Sequence, residues 1–235
     1  MRYSNGNRGV FGMSAPEQYN GWWVSSDQHL GTSDTSRITE MQRWNAKKVY
    51  DYFTALGWTR NAIAGMLGNF QVESFINPGY TETHRSVLES NAAMMTYDRG
   101  LGIAQWTGFT PSGDQKLVQF ADGLQMVWYD GDAQMQRIKY EYDNDLQFDH
   151  VTVDGTAYTW ANYITSTADP AHLAKVWQYA YERGGTDTAR RQQNATYWYN
   201  AYFGILPIWL MVNRRLRRKS KRIKAIQQKG MIKLV

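Results

Sequence analysis

A run of helical periodicity from Thr59 to Val72 is the feature that most constrains the fold of this chain. Four apolar residues recur there at the spacing of one helical face: Ile63, Met66, Leu67 and Phe70. Thr59 is placed to cap the first turn. The segment Asn77-Pro78-Gly79 ends the helix, because proline disfavours helical geometry in the residue before it and glycine readily turns the chain. The pattern predicts an amphipathic helix with Glu73 in its last turn.

Glu73 is the candidate acid of this helix. At about 100° per residue it falls beside Met66 and Phe70, on the flank of the apolar stripe. The partial negative charge of a helix C-terminus and an apolar wall both disfavour a carboxylate, so we expect Glu73 to hold its proton to higher pH than a free glutamate. Such a group suits proton donation to a glycosidic oxygen. On the helix alone, an ordinary solvated glutamate remains the alternative.

Two strings carry a resemblance to a known family. The string GMLGNFQVESFINPG is followed about thirty residues later by GLGIAQWTG. Together they resemble the phage tail lysozyme family, a branch of the lysozyme-like superfamily that degrades peptidoglycan from the tail tip of short-tailed bacteriophages. The resemblance extends from Arg43 to Phe203 and includes Asp132 to Met135, Tyr140-Glu141, and AKVWQYAYERGG with Arg190, Arg191 and Ala195. It implies a lysozyme-like fold of the α+β class, predominantly α.

The resemblance also implies roles for individual residues. It makes Glu73 the catalytic acid and places five further residues at the sugar groove: Tyr97, Gly102, Ile103, Ala104 and Gln105. Trp106 fits a sugar platform and a core anchor equally well. The segment Tyr181-Glu182-Arg183 could face substrate or form a structural ion pair that braces the groove, and we favour the structural role. The segment FTPSGDQ before Lys116 departs from the family's pattern, so the far wall of the groove could differ.

A second carboxylate is open among Glu82, Asp98 and Asp114. An inverting glycosidase would hold it about 6.5 to 9.5 Å from Glu73, and a retaining one about 5 to 5.5 Å. If none of the three qualifies, Glu73 could act alone. An intramolecular attack that yields an anhydro sugar, the outcome of lytic transglycosylases, would then be the closer analogy.

Several classes of chemistry are disfavoured by the composition. The chain has no cysteine, which excludes cysteine-dependent amidases and peptidases. Its four histidines are widely spaced and form no metal-binding motif: His29, His84, His150 and His172. Phosphate-binding glycine loops and the serine elbow are also missing from the sequence. We therefore expect no metal and no cofactor.

Three regions are predicted along the chain. Residues 1 to 37 read as an N-terminal arm without a signal-peptide pattern, with Trp22 and Trp23 as anchors. Residues 38 to 203 form the lysozyme-like domain, in which a first helix begins near Ile38 and ends at Gly57. Short β pieces are expected around residues 80 to 106 and in VTVDGTAYTW, where Asp-Gly signals a hairpin. Residues 204 to 235 form an apolar and then polybasic tail.

The tail carries the positive charge of the protein. Residues 213 to 235 contain ten Lys or Arg and no acid, which leaves 16 basic and 21 acidic residues elsewhere, a net charge of −5. The apolar stretch 198 to 212 is short for a membrane span, which needs about 17 to 25 residues. We expect the tail to dock on other phage tail proteins; contact with an anionic membrane or with DNA remains possible.

Together with the candidate acid Glu73, the resemblance implies a muramidase-like hydrolase of bacterial peptidoglycan, carried at the tail tip or in the tail lumen of a virion. Two alternatives stay open. One is an endolysin released to lyse the host, and the other is a non-catalytic tail plug that has kept the fold to bind glycan. The sequence does not distinguish them.

Overall fold

A computed structural model describes residues 16–26, 30–85, 87–184 and 186–204. Those ranges hold eight α-helices, two small antiparallel hairpins, a short 3₁₀ helix at Thr35–Arg37 and a π-helical turn at Asn200–Gly204. This content confirms a predominantly α member of the α+β class. The helices are α1 Glu40–Ala55, α2 Arg60–Ser74, α3 Asn91–Met94, α4 Lys116–Gly123, α5 Gly131–Asp143, α6 Trp160–Ile164, α7 Pro170–Ala180 and α8 Thr188–Tyr199. The strands are β1 Glu17–Tyr19, β2 Trp22–Val24, β3 Val151–Val153 and β4 Thr156–Tyr158.

Helix α2 is the central helix of the domain, and the prediction that it is amphipathic is wrong. Every residue from Ala62 to Gln71 is buried, because α1, α7 and α8 pack around it. Two glycines permit this close packing. A Cβ on Gly65 would lie 2.9 Å from the Leu173 carbonyl carbon in α7, and one on Gly68 would lie 2.4 Å from the Arg191 carbonyl oxygen in α8.

The predicted start of α2 at Thr59 is confirmed, but the helix ends at Ser74, before the segment Asn77-Pro78-Gly79 that was predicted to end it. The Thr59 hydroxyl accepts a hydrogen bond from the Ala62 N–H at 3.3 Å. At the other end Phe75 and Ile76 both take the left-handed conformation, at φ 59°, so the chain leaves the helix before it reaches Asn77. Glu73 therefore lies in the last turn, as predicted. The Asn77 carboxamide instead accepts from the Gly79 N–H at 2.9 Å and turns the following loop.

The first helix, α1, is also confirmed. Thr39 and Gln42 form a capping box in which each side chain accepts from the other's backbone N–H. The helix ends at Ala55, and Gly57 follows with φ +83°, a left-handed conformation that favours glycine.

The hairpin signal in residues 151 to 159 is confirmed. Strands β3 and β4 pair in antiparallel register, and Asp154 and Gly155 connect them with φ values of 49° and 81°. Two successive positive φ values suit the twist of a tight hairpin. In the other predicted β region, the described residues between 80 and 106 form only isolated bridges, Thr81 with Leu101 and Leu101 with Trp106.

The described part of the N-terminal arm packs against the helices. Strands β1 and β2 form a hairpin in which Trp22 is fully buried and Trp23 is half-buried. The Trp22 indole N–H donates to the Asp132 carboxylate at 2.8 Å, and the Asn45 carboxamide pairs with the Trp23 backbone. Trp22 thus serves as the anchor expected from the sequence.

The C-terminal unit begins at Asn200, and a single π-helical turn, Asn200–Gly204, is its described part. The predicted apolar and polybasic tail, residues 204 to 235, otherwise lies outside the described residues. Among the residues that the structure does describe, none belongs to a helix long and apolar enough to cross a membrane. The domain boundaries at residues 37 and 203 stay predictions.

Candidate active site

Glu73 is a partly exposed carboxylate at the end of a buried helix. Its side chain is 21% exposed, whereas Asn69, Phe70, Gln71 and Ser74 around it are buried. The carboxylate accepts a hydrogen bond from the Arg191 guanidinium, with 2.5 Å between Nη2 and Oε1. An apolar wall beside Glu73 was expected from the sequence, and the charged partner Arg191 was not predicted.

Arg191 contacts Glu73 from α8, and further hydrogen bonds hold its guanidinium group in place. Its side chain is only 5% exposed. Nη1 donates to the Asn69 carboxamide oxygen at 2.9 Å, and Nε donates to the Thr186 carbonyl at 3.3 Å. These contacts fix the guanidinium plane, so Arg191 presents one edge to Glu73.

Asn69 fixes Arg191 in turn. Its side-chain amide donates to the Gly65 carbonyl and to the Ala174 carbonyl, each at 3.0 Å. With both donors engaged, the carboxamide oxygen is left to accept from Arg191. Helices α2, α7 and α8 therefore meet at this pair of side chains and orient the Glu73 carboxylate together.

A second carboxyl, that of Glu182, lies in the same electrostatic environment. It follows α7, and its Oε1 accepts from the Trp177 indole N–H at 2.8 Å. The residue keeps some solvent exposure, but protein atoms densely surround the carboxyl. This burial raises the pKa of Glu182 well above its ordinary value; the charge of Glu73 raises it further, and Arg191 lowers it.

A different carboxylate and arginine form a sealed cluster between α5 and α7. The Glu141 side chain is 0% exposed and accepts from Arg137 Nε at 2.7 Å. Its other oxygen accepts from the Tyr181 hydroxyl, which accepts in turn from the Trp106 indole N–H at 2.9 Å. Burial raises the pKa of Glu141, and the neighbouring Arg137 opposes this rise. We name Glu141, Arg137, Tyr181 and Trp106 the sealed cluster, and Glu73, Arg191, Asn69 and Glu182 the open cluster.

The sealed cluster bears on the role of Trp106. Its side chain is 4% exposed and its indole N–H is engaged by Tyr181. Of the two roles that the sequence left open, core anchor or sugar platform, this position supports the core anchor.

The glycine-rich segment lies against the end of α2. Ser74 follows Glu73 in the sequence, and its hydroxyl donates to the Ile103 carbonyl at 2.7 Å. Gly102 has φ +74°, and a Cβ there would meet the Gln134 side chain at 2.7 Å, so the backbone passes close to α5. The Ile103 N–H donates to that same Gln134 side chain at 2.8 Å.

The residues predicted to line the groove differ in their exposure. Gly102, Ile103 and Ala104 are buried, so they could contact a sugar only through a limited backbone surface. Gln105 is half-buried and has φ 47°, with its amide donating to the Gly102 carbonyl at 2.8 Å. Tyr97 is almost fully buried, and its hydroxyl bonds the Thr83 hydroxyl at 2.9 Å.

The three candidates for a second carboxylate form their hydrogen bonds and ion pairs with residues outside the open cluster. Glu82 accepts from the Gly100 N–H at 2.8 Å. Asp98 is 73% exposed beside Arg99, and Asp114 accepts from the Ser112 hydroxyl at 2.7 Å. Within the described ranges, no hydrogen bond or ion pair joins any of the three to Glu73. Their assignment stays a prediction.

Three members of the open cluster were not predicted from the sequence. They are Asn69, Arg191 and Glu182, the last as a charged partner of Glu73. Arg191 stood in the resembling region but carried no role there. An asparagine inside an apolar helical run was the available signal for Asn69, because a buried carboxamide needs partners. In the described part of the chain, no group of three His, Cys, Asp or Glu residues is placed to hold a metal ion.

Comparison with known proteins identifies the family of this chain. The model of the phage tail lysozyme family matches residues 44–202. Over 161 residues the chain is 33% identical to "Morphogenesis protein 1" of Bacillus phage B103, an alignment that covers 68% of this chain and 40% of that protein. The chain thus spans less than half the length of this relative. The matched range includes Glu73, Glu182 and Arg191, and the chain belongs to the phage tail lysozyme family.

Proposed function

We propose that this protein is a phage tail-associated peptidoglycan hydrolase of the muramidase type, with Glu73 as its general acid. The observation that carries the proposal is the position of Glu73, a carboxyl that keeps 21% of its surface exposed while a buried arginine holds it in place. A proton donor has to be both accessible to a substrate and fixed in orientation. In the proposed reaction the β-1,4 glycan linkage of the bacterial wall is cleaved as the phage genome enters the host.

The proposed acid step follows from this geometry. The protonated Glu73 carboxyl transfers its proton to the glycosidic oxygen while the bond between that oxygen and the sugar's anomeric carbon breaks, which leaves an oxocarbenium-like sugar. The resulting Glu73 carboxylate is paired with Arg191, so its charge is compensated. A water molecule, or a hydroxyl of the sugar itself, then attacks the anomeric carbon, and the proton that it loses restores the Glu73 carboxyl directly or through solvent. The first attack gives a hydrolysed product and the second an anhydro sugar.

The experiment compares Glu73→Gln with the wild-type chain on purified cell walls. Glu40→Gln is the matched control, because the Glu40 side chain is 96% exposed on α1. We expect Glu73→Gln to lose nearly all turbidity-clearing activity and still to sediment with the walls, while the control clears them as the wild type does. A wild-type chain that binds walls and never clears them would favour the alternative, a non-catalytic tail plug.

The proposed place of action is the virion, at the tail tip or in the tail lumen. The relative in Bacillus phage B103 is called a morphogenesis protein, a name that favours a component built into the particle over an endolysin. Detection of the chain in purified particles would support this location. Its absence from particles, with abundance in the lysate, would favour the endolysin.

The basic tail is proposed to dock on another protein of the phage tail. Its ten basic residues contrast with the net charge of −5 elsewhere, so an acidic partner surface would attract it. An anionic membrane and packaged DNA are the competing partners. Removal of residues 204 to 235 should prevent incorporation into particles and leave wall clearing intact. Normal incorporation of the truncated chain would contradict the docking proposal.

A further inference from the structure

The turn that follows Glu73 has a strained backbone. Phe75 and Ile76 both have φ 59°, in the left-handed region that residues with a side chain rarely adopt and that is least favourable for a β-branched residue such as isoleucine. Both of their N–H groups donate to the Phe70 carbonyl, so this turn closes the end of the helix that carries Glu73. Strained backbone persists only where the surrounding structure holds it. The contacts that hold this turn therefore bear on the position of Glu73.

Asn45 of α1 holds the turn from one side. Its side chain is fully buried, and its carboxamide donates to the Ile76 carbonyl at 2.9 Å. The same carboxamide pairs with both backbone groups of Trp23 in the N-terminal arm. It accepts from the Trp23 N–H at 3.0 Å and donates to the Trp23 carbonyl at 2.7 Å. Because both donors and the oxygen of the carboxamide are engaged, Asn45 joins the turn to the arm.

Asn77 binds the arm in the same manner two residues further along. Its buried carboxamide accepts from the Ser25 N–H at 3.1 Å and donates to the Ser25 carbonyl at 2.6 Å. The arm passes close to the chain here, since a Cβ on Gly79 would lie 2.9 Å from the Ser25 carbonyl oxygen. Asn45 and Asn77 thus bind successive backbone positions of one segment, residues 23 to 25. We name these two side chains the asparagine clamp.

We propose that the asparagine clamp holds residues 23 to 25 of the arm against the turn after Glu73, and that these arm residues are thereby a positioning element of the active site. This proposal rests on the proposed function. The arm residues lie outside the range that the family model matches, whereas both asparagines lie within it. A segment that precedes the lysozyme-like domain in the sequence is therefore part of its catalytic unit.

The clamp acts on Glu73 through the backbone. Without it the turn would leave the left-handed conformation, and the last turn of α2 would fray as helix ends do. Glu73 would then lose the fixed orientation in which Arg191 binds it. Turnover depends on this orientation, whereas affinity for the wall depends on the whole groove. Loss of the clamp should therefore lower kcat and leave KM nearly unchanged.

The first test compares Asn45→Ala with Asn91→Ala. Asn91 is a matched control, because its half-buried carboxamide accepts from the Trp128 N–H at 2.9 Å and donates to the Met126 carbonyl at 2.8 Å. Wall clearing would be measured over a range of wall concentrations, at a temperature where both variants are folded. We expect Asn45→Ala to lower kcat by about tenfold or more with KM within about twofold of the wild type, and Asn91→Ala to keep the wild-type kcat. A wild-type kcat in Asn45→Ala, or equal losses in the two variants, would overturn the proposal.

The second test uses the wild-type chain and needs no catalysis. Native-state hydrogen exchange would compare the backbone N–H groups of Trp23, Ser25 and Ile76. If the arm and the turn are held as one unit, these protons become exposed in the same opening event, and we expect protection factors within about tenfold of one another. Much weaker protection of Trp23 and Ser25 than of Ile76 would show that the arm detaches while the turn stays closed, and would overturn the proposal. A wild-type chain without activity would contradict the hydrolase assignment, and the exchange data would still decide whether the clamp joins arm and turn.

Discussion

The open and sealed clusters use the same chemistry in opposite surroundings. Both join a glutamate to an arginine through a short hydrogen bond, Glu73 to Arg191 in one and Glu141 to Arg137 in the other. In the sealed cluster the carboxylate has no exposed surface, and each of its oxygens has a protein partner. In the open cluster Glu73 keeps a fifth of its surface exposed.

We propose that this difference separates a structural role, that of Glu141, from a functional one, that of Glu73. A carboxylate whose partners are all internal can stabilise the fold but cannot reach a substrate. A carboxylate that is held by a buried partner on one side and exposed on the other can both stabilise the fold and reach a substrate. A buried arginine paired with a glutamate does not by itself identify an active site, because only an exposed carboxyl can reach a substrate.

The largest expected difference between the clusters is in catalysis. Glu73→Gln should lower the rate of wall clearing by about 10²- to 10⁴-fold, the usual contribution of a general acid. Glu141→Gln, assayed at a temperature where it stays folded, should lower the rate by less than about tenfold, since it changes no proton donor. Initial rates on the same wall preparation measure both. Equal losses in the two variants would remove the distinction between the clusters.

Thermodynamic stability should show the reverse order. Glu141→Ala leaves Arg137 and the Tyr181 hydroxyl without their buried acceptor, and we expect a loss of about 3–5 kcal/mol in the free energy of unfolding. Glu73→Ala removes a partly exposed acceptor, and the expected loss is about 1–2 kcal/mol. Urea denaturation of the two variants provides the comparison. A larger loss for Glu73→Ala would show that the open cluster is the main structural one.

The pH dependence of the free energy of unfolding tests whether Glu182 is a neutral buried acid. Its pKa is raised in the folded chain, so between its unfolded and folded pKa values the folded state holds more protons than the unfolded state. The free energy of unfolding then falls as the pH rises through this window, which begins near the ordinary glutamate value. Relative to Glu182→Gln, the wild type should lose stability as the pH rises above the range in which a free glutamate titrates. A constant difference across that range would show that Glu182 is not a neutral buried acid.

Trp106→Phe should have the smallest effect. The variant loses the indole N–H that donates to the Tyr181 hydroxyl, and we expect a cost of about 1 kcal/mol in stability. Because the ring has almost no exposed surface, the affinity for glycan should stay near that of the wild type. Sedimentation with purified walls measures this affinity. A marked loss of binding in a stable variant would return Trp106 to the sugar site.

Local signals in the sequence predicted the local parts of this structure. The period of 3.6 residues, the cap at Thr59 and the left-turning Gly57 identified α1 and α2, and the Asp154-Gly155 pair identified the hairpin. Each of these features depends on neighbours within a few residues. They place Glu73 correctly in the last turn of its helix.

Long-range contacts were the part that the sequence could not predict. Glu73 and Arg191 are 118 positions apart, and their pairing depends on how α8 packs across α2. The same packing buries α2 on all sides, against the amphipathic pattern of its residues. Glycines at 65 and 68 permit that packing, but a glycine in a sequence does not say which helix approaches it.

Product analysis of wall digestion tests the central claim most directly. Purified peptidoglycan would be incubated with the wild-type chain or with Glu73→Gln, and the released sugars identified by mass spectrometry. We predict that the wild type releases fragments cut at the β-1,4 glycan bond, with either reducing or anhydro ends, and that Glu73→Gln releases almost none. The same fragments in equal yield from both chains would contradict the assignment of Glu73 as the acid.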